Sequence, residues 1–133
     1  MSASGQLVVC ALGGEEYGLP VGQVREIVRY SAPRPVASDV PWMRGVVSLR
    51  GRLVPVHDLA TRLGVGTSAP PPSTAKLVIV ETADEPIGVL VDDVVEVLTV
   101  DEAQLEPVPS GEGRIARVGD RLVVLLDGAE LAA

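Results

Sequence analysis

Phenylalanine is absent from the 133 residues, and aromatic side chains make up 2% of them. A core built from this chain must therefore be filled by Val, Leu, Ile and Ala. Cysteine occurs once, as Cys10, so no disulfide can form within the chain. That residue lies in the apolar run Leu7–Leu12 and reads as a buried thiol rather than a reactive one. Histidine also occurs once, as His57, with no Cys or second His to complete a zinc site. Basic residues are scarce: 11 Lys and Arg face 18 Asp and Glu, giving a formal net charge of −7 and a pI of 4.6. Phosphate backbones are held by clustered Lys and Arg, so nucleic acid is excluded as a partner. No apolar run nears the ~20 residues that cross a bilayer. Met1 to Gln6 carries neither the basic nor the apolar part of a signal peptide. A cytoplasmic protein without direct membrane insertion is expected. No P-loop, dinucleotide-binding glycine pattern or zinc spacing occurs, and no cofactor is expected.

What is present is largely apolar: hydrophobic residues make up 47% of the chain. At this length roughly two-thirds of the unfolded surface can be buried, so metal or disulfides are not needed for a core. An internal repeat organises the chain. LVVCALGGEEYGLPVGQVREIV (Leu7 to Val28) aligns without a gap on LVIVETADEPIGVLVDDVVEVL (Leu77 to Leu98), an offset of 70 residues. Leu7 meets Leu77, Glu15 meets Glu85, Gly18 meets Gly88, Val24 meets Val94 and Glu26 meets Glu96. RLVPVHDLA (Arg52 to Ala60) resembles RLVVLLDGA (Arg121 to Ala129) at an offset of 69. The reading is a single domain over 1–133, with a first repeat at about 7–63, a linker at 64–75 and a second repeat at about 76–131. Exchange of strands between the two halves is left open. The linker, rich in Gly, Ser and Pro, suits a spacer rather than sheet or helix.

Each half reads as β. β-Branched runs bounded by turn residues predict hairpins at Leu7–Leu12 with Tyr17–Val21, and at Lys76–Glu81 with Ile87–Val91. Two more hairpins are predicted around Arg50-Gly51-Arg52 and Gly119-Asp120, where Gly can take φ > 0. Asp58 and Asp127 are placed as helix N-caps, and a helix over Leu59–Leu63 would stop at Gly64. Too few strands occur in either half for it to stand alone. Two small barrels packed together is the natural architecture.

Few residues invite chemistry. Gly13-Gly14-Glu15-Glu16-Tyr17 resembles the GGEEF signature of diguanylate cyclases, whose carboxylates hold Mg²⁺ on nucleotide phosphates. Here only a dozen residues precede it and the surroundings are β, so a hairpin turn is the better reading. Ser48, His57 and Asp58 lack the nucleophile-elbow context of a triad, and neighbours such as His57 and Asp58 point to opposite faces of a strand. Glu26 interrupts the apolar segment Val24–Val28, and Arg50 sits at a hairpin tip. If the fold brings them together they form a charge-assisted ion pair that positions a loop. Trp42 and Met43 follow Pro41 on a loop. They suit either an interaction anchor or a cap on a barrel end.

Three segments carry a family resemblance: LGGEEYGLPVGQVREIV (Leu12 to Val28), PWMRGVVSLRGRLVPVHDL (Pro41 to Leu59) and GVLVDDVVEVL (Gly88 to Leu98). Together they resemble CheW, from about Leu7 to Leu131. The resemblance implies an all-β fold of two five-stranded SH3-like barrels related by the repeat, with a short helix after each. It implies a non-enzymatic adaptor of chemosensory signalling, recruited to chemoreceptor arrays. Its partners would be the cytoplasmic tip of a methyl-accepting chemoreceptor and the regulatory domain of a CheA-type histidine kinase. By motif position, Val24, Glu26, Arg44, Gly45 and Arg50 fall where the family supports receptor and array contacts, with Val78 and Ile79 on the second barrel near the groove. The segment Pro107–Gly113 leads almost directly to Ile115, shorter than is usual in the family, and the last helix ends at Ala133. A divergent paralogue that engages the kinase weakly or not at all is the alternative this suggests.

Overall fold

A computed structural model describes residues 5–65, 70–109 and 111–132; the linker residues 66–69 lie outside this set. The first half runs β1 (Gly5–Leu12), β2 (Glu15–Pro20), β3 (Val24–Arg29), β4 (Met43–Leu49), β5 (Arg52–Asp58) and helix α1 (Leu59–Leu63). The second runs β6 (Lys76–Val80), β7 (Ile87–Val91), β8 (Asp93–Val100), β9 (Leu105–Pro107), β10 (Arg114–Val118), β11 (Arg121–Leu125) and α2 (Gly128–Ala132). The strands form two sheets, ordered β8-β1-β2-β11-β10-β9 and β3-β6-β7-β5-β4. Apart from the three-residue β9, the two orders correspond position by position under the repeat. That short sixth strand is the one departure from two five-stranded barrels.

Neither half makes a sheet of its own. The hairpin β1–β2 lies among strands of the second half, and β6–β7 among strands of the first. The joins are parallel, β11 on β2 and β5 on β7. The composition of these hairpins follows from their place. One face of β1, Leu7 and Val9, packs with Val100, Ala116 and Val123 inside the six-stranded sheet. Its other face, Val8, Cys10 and Leu12, packs with Val78, Val80, Val89 and Val91 in a core shared between the sheets. The strand β6 does the same, sending Leu77 and Ile79 into the five-stranded sheet with Val54 and Val56. Strands buried on both faces need continuous apolar runs, while strands with one wet face need alternation. The sequence shows both patterns: LVVCAL and KLVIV against the alternating VREIVR of β3, half-buried at every second residue.

The turns are tight because the pairing demands it. Leu12 faces Glu15 across Gly13-Gly14, with φ of 60° and 84°. Leu49 faces Arg52 across Arg50-Gly51, with φ of 52° and 78°. Two consecutive positive φ values match the right-handed twist of hairpin strands. The helix α1 is capped as expected: Asp58 accepts from the Thr61 amide at 3.3 Å, and Gly64 ends the helix in the left-handed region at φ 71°.

Candidate functional site

A bulge in the β3–β6 ladder falls between Val24 and Glu26, and beyond it Glu26 and Val28 share the half-buried side of β3. Val28 and Leu49 pack on the core of the five-stranded sheet, which holds Val54, Val56, Leu77 and Ile79. Glu26 therefore ends an apolar stack with a carboxylate, and a carboxylate there needs a partner. Arg50 supplies it. Its Nη1 donates to Glu26 Oε1 at 2.8 Å and to Oε2 at 2.9 Å. β3 is one edge of the sheet and β4 the other, so this bond runs from one edge to the hairpin at the opposite edge and closes the barrel mouth. A small cavity of 50 Å³ opens beside it, lined by Leu49, Val54, Ile79 and Pro86 among others. Arg50 is the one described non-glycine residue with positive φ, at a cost of about 1–2 kcal/mol. Its side chain is 71% exposed while that of Glu26 is 25% exposed. The guanidinium is thus fixed in direction yet open to solvent, which is what a recognition group requires.

The other residues singled out from the sequence divide sharply. Arg44 is exposed but occupied: its Nε and Nη2 donate to Asp58 Oδ2 at 3.1 and 2.8 Å, and Nη2 also donates to Thr61 Oγ1 at 3.0 Å. It ties β4 to the first turn of α1. Gly45 is buried at φ 135°, next to a bulge in the β4–β5 ladder. A Cβ there would stand 2.1 Å from the Arg34 carbonyl oxygen. Gly45 is therefore what lets the β3–β4 connection cross β4, where Arg34 and Val46 exchange backbone hydrogen bonds of 2.8 and 2.9 Å. Val24 is half-buried and leans on the shared core. Val78 and Ile79 are 0% and 1% exposed. β6 lies between β3 and β7 in the five-stranded sheet, so both side chains pack inward, and Ile79 lines the cavity beside the Glu26–Arg50 pair.

The cyclase-like motif is absorbed by structure. Gly13 and Gly14 make the turn, Tyr17 is in the shared core, and Glu16 binds Arg121 in a fork of 2.9 and 3.1 Å. Ser48 pairs with Leu53 and His57 with Met43, at opposite ends of the β4–β5 ladder, so no triad assembles. Burial lowers the pKa of His57, a backbone hydrogen bond to Leu131 opposes this, and nearby Arg62 lowers it further. Burial pushes the Cys10 thiol up to about 12.

One cluster was missed by sequence reasoning. Arg121 also holds Glu96, Nη1 to Oε2 at 2.8 Å. Glu96 aligns with Glu26 in the repeat, so the six-stranded sheet has its own version of the Glu26–Arg50 closure. The alignment hid this because it matched Arg121 with Arg52 rather than with Arg50. Trp42 was read as either anchor or cap. Its ring lies under the Arg62 guanidinium, 4.3 Å from the centroid, and Arg62 Nη2 donates to the Glu130 carbonyl at 2.9 Å. The loop before β4 is thereby tied to α1 and α2.

Comparison with known proteins places this geometry. A domain-family model described as CheW-like domain matches residues 6–133. The chain is 33% identical over 106 residues to "Chemotaxis protein CheW" of Bacillus subtilis, covering 80% of this chain and 67% of that one. It is 29% identical over 122 residues to "Probable chemotaxis protein CheW" of Rhizobium etli, covering 92% and 78%. The crystal structure of scaffolding protein TtCheW from Thermoanaerobacter tengcongensis matches with a TM-score of 0.83 and 29% identity, covering 92% of this chain and 83% of that one. The family match spans nearly the whole chain, and the chain belongs to the CheW-like family of chemotaxis scaffolding proteins, which bind and do not catalyse.

Proposed function

We propose that this protein couples the cytoplasmic tip of a chemoreceptor to the regulatory domain of a CheA-type histidine kinase, and that it does so at receptor arrays. The observation that carries this reading is Arg50. It is held on Glu26 at the mouth of the five-stranded sheet, exposed and fixed, at the position where the family resemblance puts receptor contacts. The mouth offers apolar surface beside a pinned charge, which suits the end of a helical hairpin. Binding both partners raises their effective concentration for each other, so no catalytic group is needed. Arg44 and Gly45 contribute by shaping β4 and its connection rather than by touching the partner. Titration calorimetry of a receptor tip fragment against the wild type and Arg50→Glu tests the reading. Binding that is lost in the variant, with the fold retained, is the expected outcome; equal affinity would remove Arg50 from the interface.

The reading in which the kinase is barely engaged is not favoured. The six-stranded sheet is complete despite the short segment after Pro107. Its edge strand β8 exposes Val95 and Val97, 46% and 53%, and β11 exposes Leu122, 46%. Exposed apolar side chains on an edge strand supply a protein-binding face. Among the described residues no helix is long and apolar enough to cross a membrane.

A further inference from the structure

A second recessed surface is lined by other residues than the Glu26–Arg50 mouth. The residues before β4 and the β6–β7 loop flank a cleft of 380 Å³. Val40, Trp42, Met43 and His57 line one side, with Asp84 and Glu85 on the other. It shares no lining residue with the cavity at the mouth. We propose that this cleft docks an arginine side chain carried on an amphipathic segment of a protein partner.

The argument begins with preorganisation. The Trp42 carbonyl accepts from the Asp58 amide at 2.7 Å, and the Met43 amide donates to the Val40 carbonyl at 3.1 Å. On the other side Thr82 Oγ1 donates to the Glu85 carbonyl at 2.5 Å and accepts from the Asp84 amide at 3.2 Å. Both walls are thus held by backbone bonds that leave the carboxylates of Asp84 and Glu85 unused. Both residues are exposed, and among the described residues no cation lies within ion-pair distance of either. Arg62 is engaged with the Trp42 ring and the Glu130 carbonyl. His57, its pKa lowered by burial, stays neutral near pH 7 and does not repel a cation.

The chemistry selects the occupant. Two free carboxylates facing an apolar wall match a side chain with a charged head and a long apolar stem. A planar guanidinium adds a fork for carboxylates, which an ammonium lacks. Arg62 already covers the Trp42 ring, so the Asp84 and Glu85 carboxylates carry the selectivity for the incoming cation. The volume suits one or two side chains rather than a whole helix. The net charge of −7 draws a cationic segment in.

Trp42 is the only tryptophan of the chain, so its fluorescence reports on this cleft alone. The protein is titrated with the peptide acetyl-Ser-Leu-Arg-Leu-Ser-amide, and separately with the same peptide carrying citrulline, a neutral isostere, in place of arginine. A saturable change in Trp42 emission with the arginine peptide is expected. Affinity should fall about tenfold or more with citrulline, and likewise in the double variant Asp84→Asn, Glu85→Gln, as for loss of charge-assisted hydrogen bonds. Both substituted residues are exposed, and a thermal melt confirms that the variant is folded. No emission change up to millimolar peptide, or equal affinity for the citrulline peptide or the double variant, would overturn the proposal. Because Arg50 is not among the residues lining the cleft, either result leaves the receptor reading to its own test.

Discussion

Gly45→Ala isolates the contribution of one missing methyl group. The added Cβ would sit 2.1 Å from the Arg34 carbonyl oxygen and 2.7 Å from its carbon, so the backbone of residues 34 and 35 must move. That movement breaks the exchanged Arg34–Val46 hydrogen bonds of 2.8 and 2.9 Å, worth about 1 kcal/mol each. The φ of 135° adds about 2 kcal/mol for any residue other than glycine. The sum is about 4 kcal/mol, a large share of a typical domain's stability of ~5–15 kcal/mol. With an unfolding entropy of about 2.1 cal/mol/K per residue, this lowers the Tm by roughly 14 °C. Gly51→Ala is the control, since its φ is 78° but its Cβ would meet nothing within 4 Å. It should cost about 1 kcal/mol, or roughly 4 °C. The assay is a calorimetric melt of both variants beside the wild type. If the two variants melt within about 3 °C of each other, steric contact with the Arg34 backbone is not what fixes Gly45. The same result matters for function, because a Gly45 variant that loses partner binding would do so by misplacing β4.

Four further outcomes follow from the structure. Arg50→Gly relieves the positive φ, worth about 1–2 kcal/mol, but leaves the Glu26 carboxylate unpaired at a similar cost, so Tm should change by no more than about 4 °C even as receptor affinity, followed by calorimetry, drops. Cys10, fully buried with its thiol pushed up to about 12, should resist iodoacetamide at pH 8 in the folded protein and react only on unfolding. The sign for pH is also set: the unfolded thiol ionises near 9 while the folded one holds its proton, so stability should fall as pH rises from about 9 towards 12. For His57 the folded pKa is lowered below 6.5. Its neutral form stabilises the fold above that pH, and this stability is lost as pH falls below it. Melts of His57→Gln between pH 7 and 5 should therefore show a flatter acid limb than the wild type.

The fold was legible because burial leaves a period in the sequence. Hairpins buried on both faces appear as unbroken apolar runs, and the repeat places the same runs 70 residues apart. Tight turns announced themselves through glycine. What periodicity cannot say is which copy a hairpin pairs with, since β1 and β6 present near-identical faces to either sheet. A position matched by motif carries no information on whether its strand is covered, and Val78 and Ile79 lie on a strand packed on both faces. Glu26 was visible as a charge inside an apolar strand, and Arg50 as the nearest tip residue able to meet it. Arg121 was not, because it binds Glu16, 105 residues away along the chain, across a parallel junction that no local pattern encodes.

The coupling role is tested most directly by sedimentation of chemoreceptor-bearing membranes with a CheA-type kinase, with and without this protein. Kinase should pellet with the membranes only when the protein is present, its autophosphorylation should rise, and Arg50→Glu should abolish both effects. Kinase recruitment that is the same with and without the protein would contradict the adaptor reading.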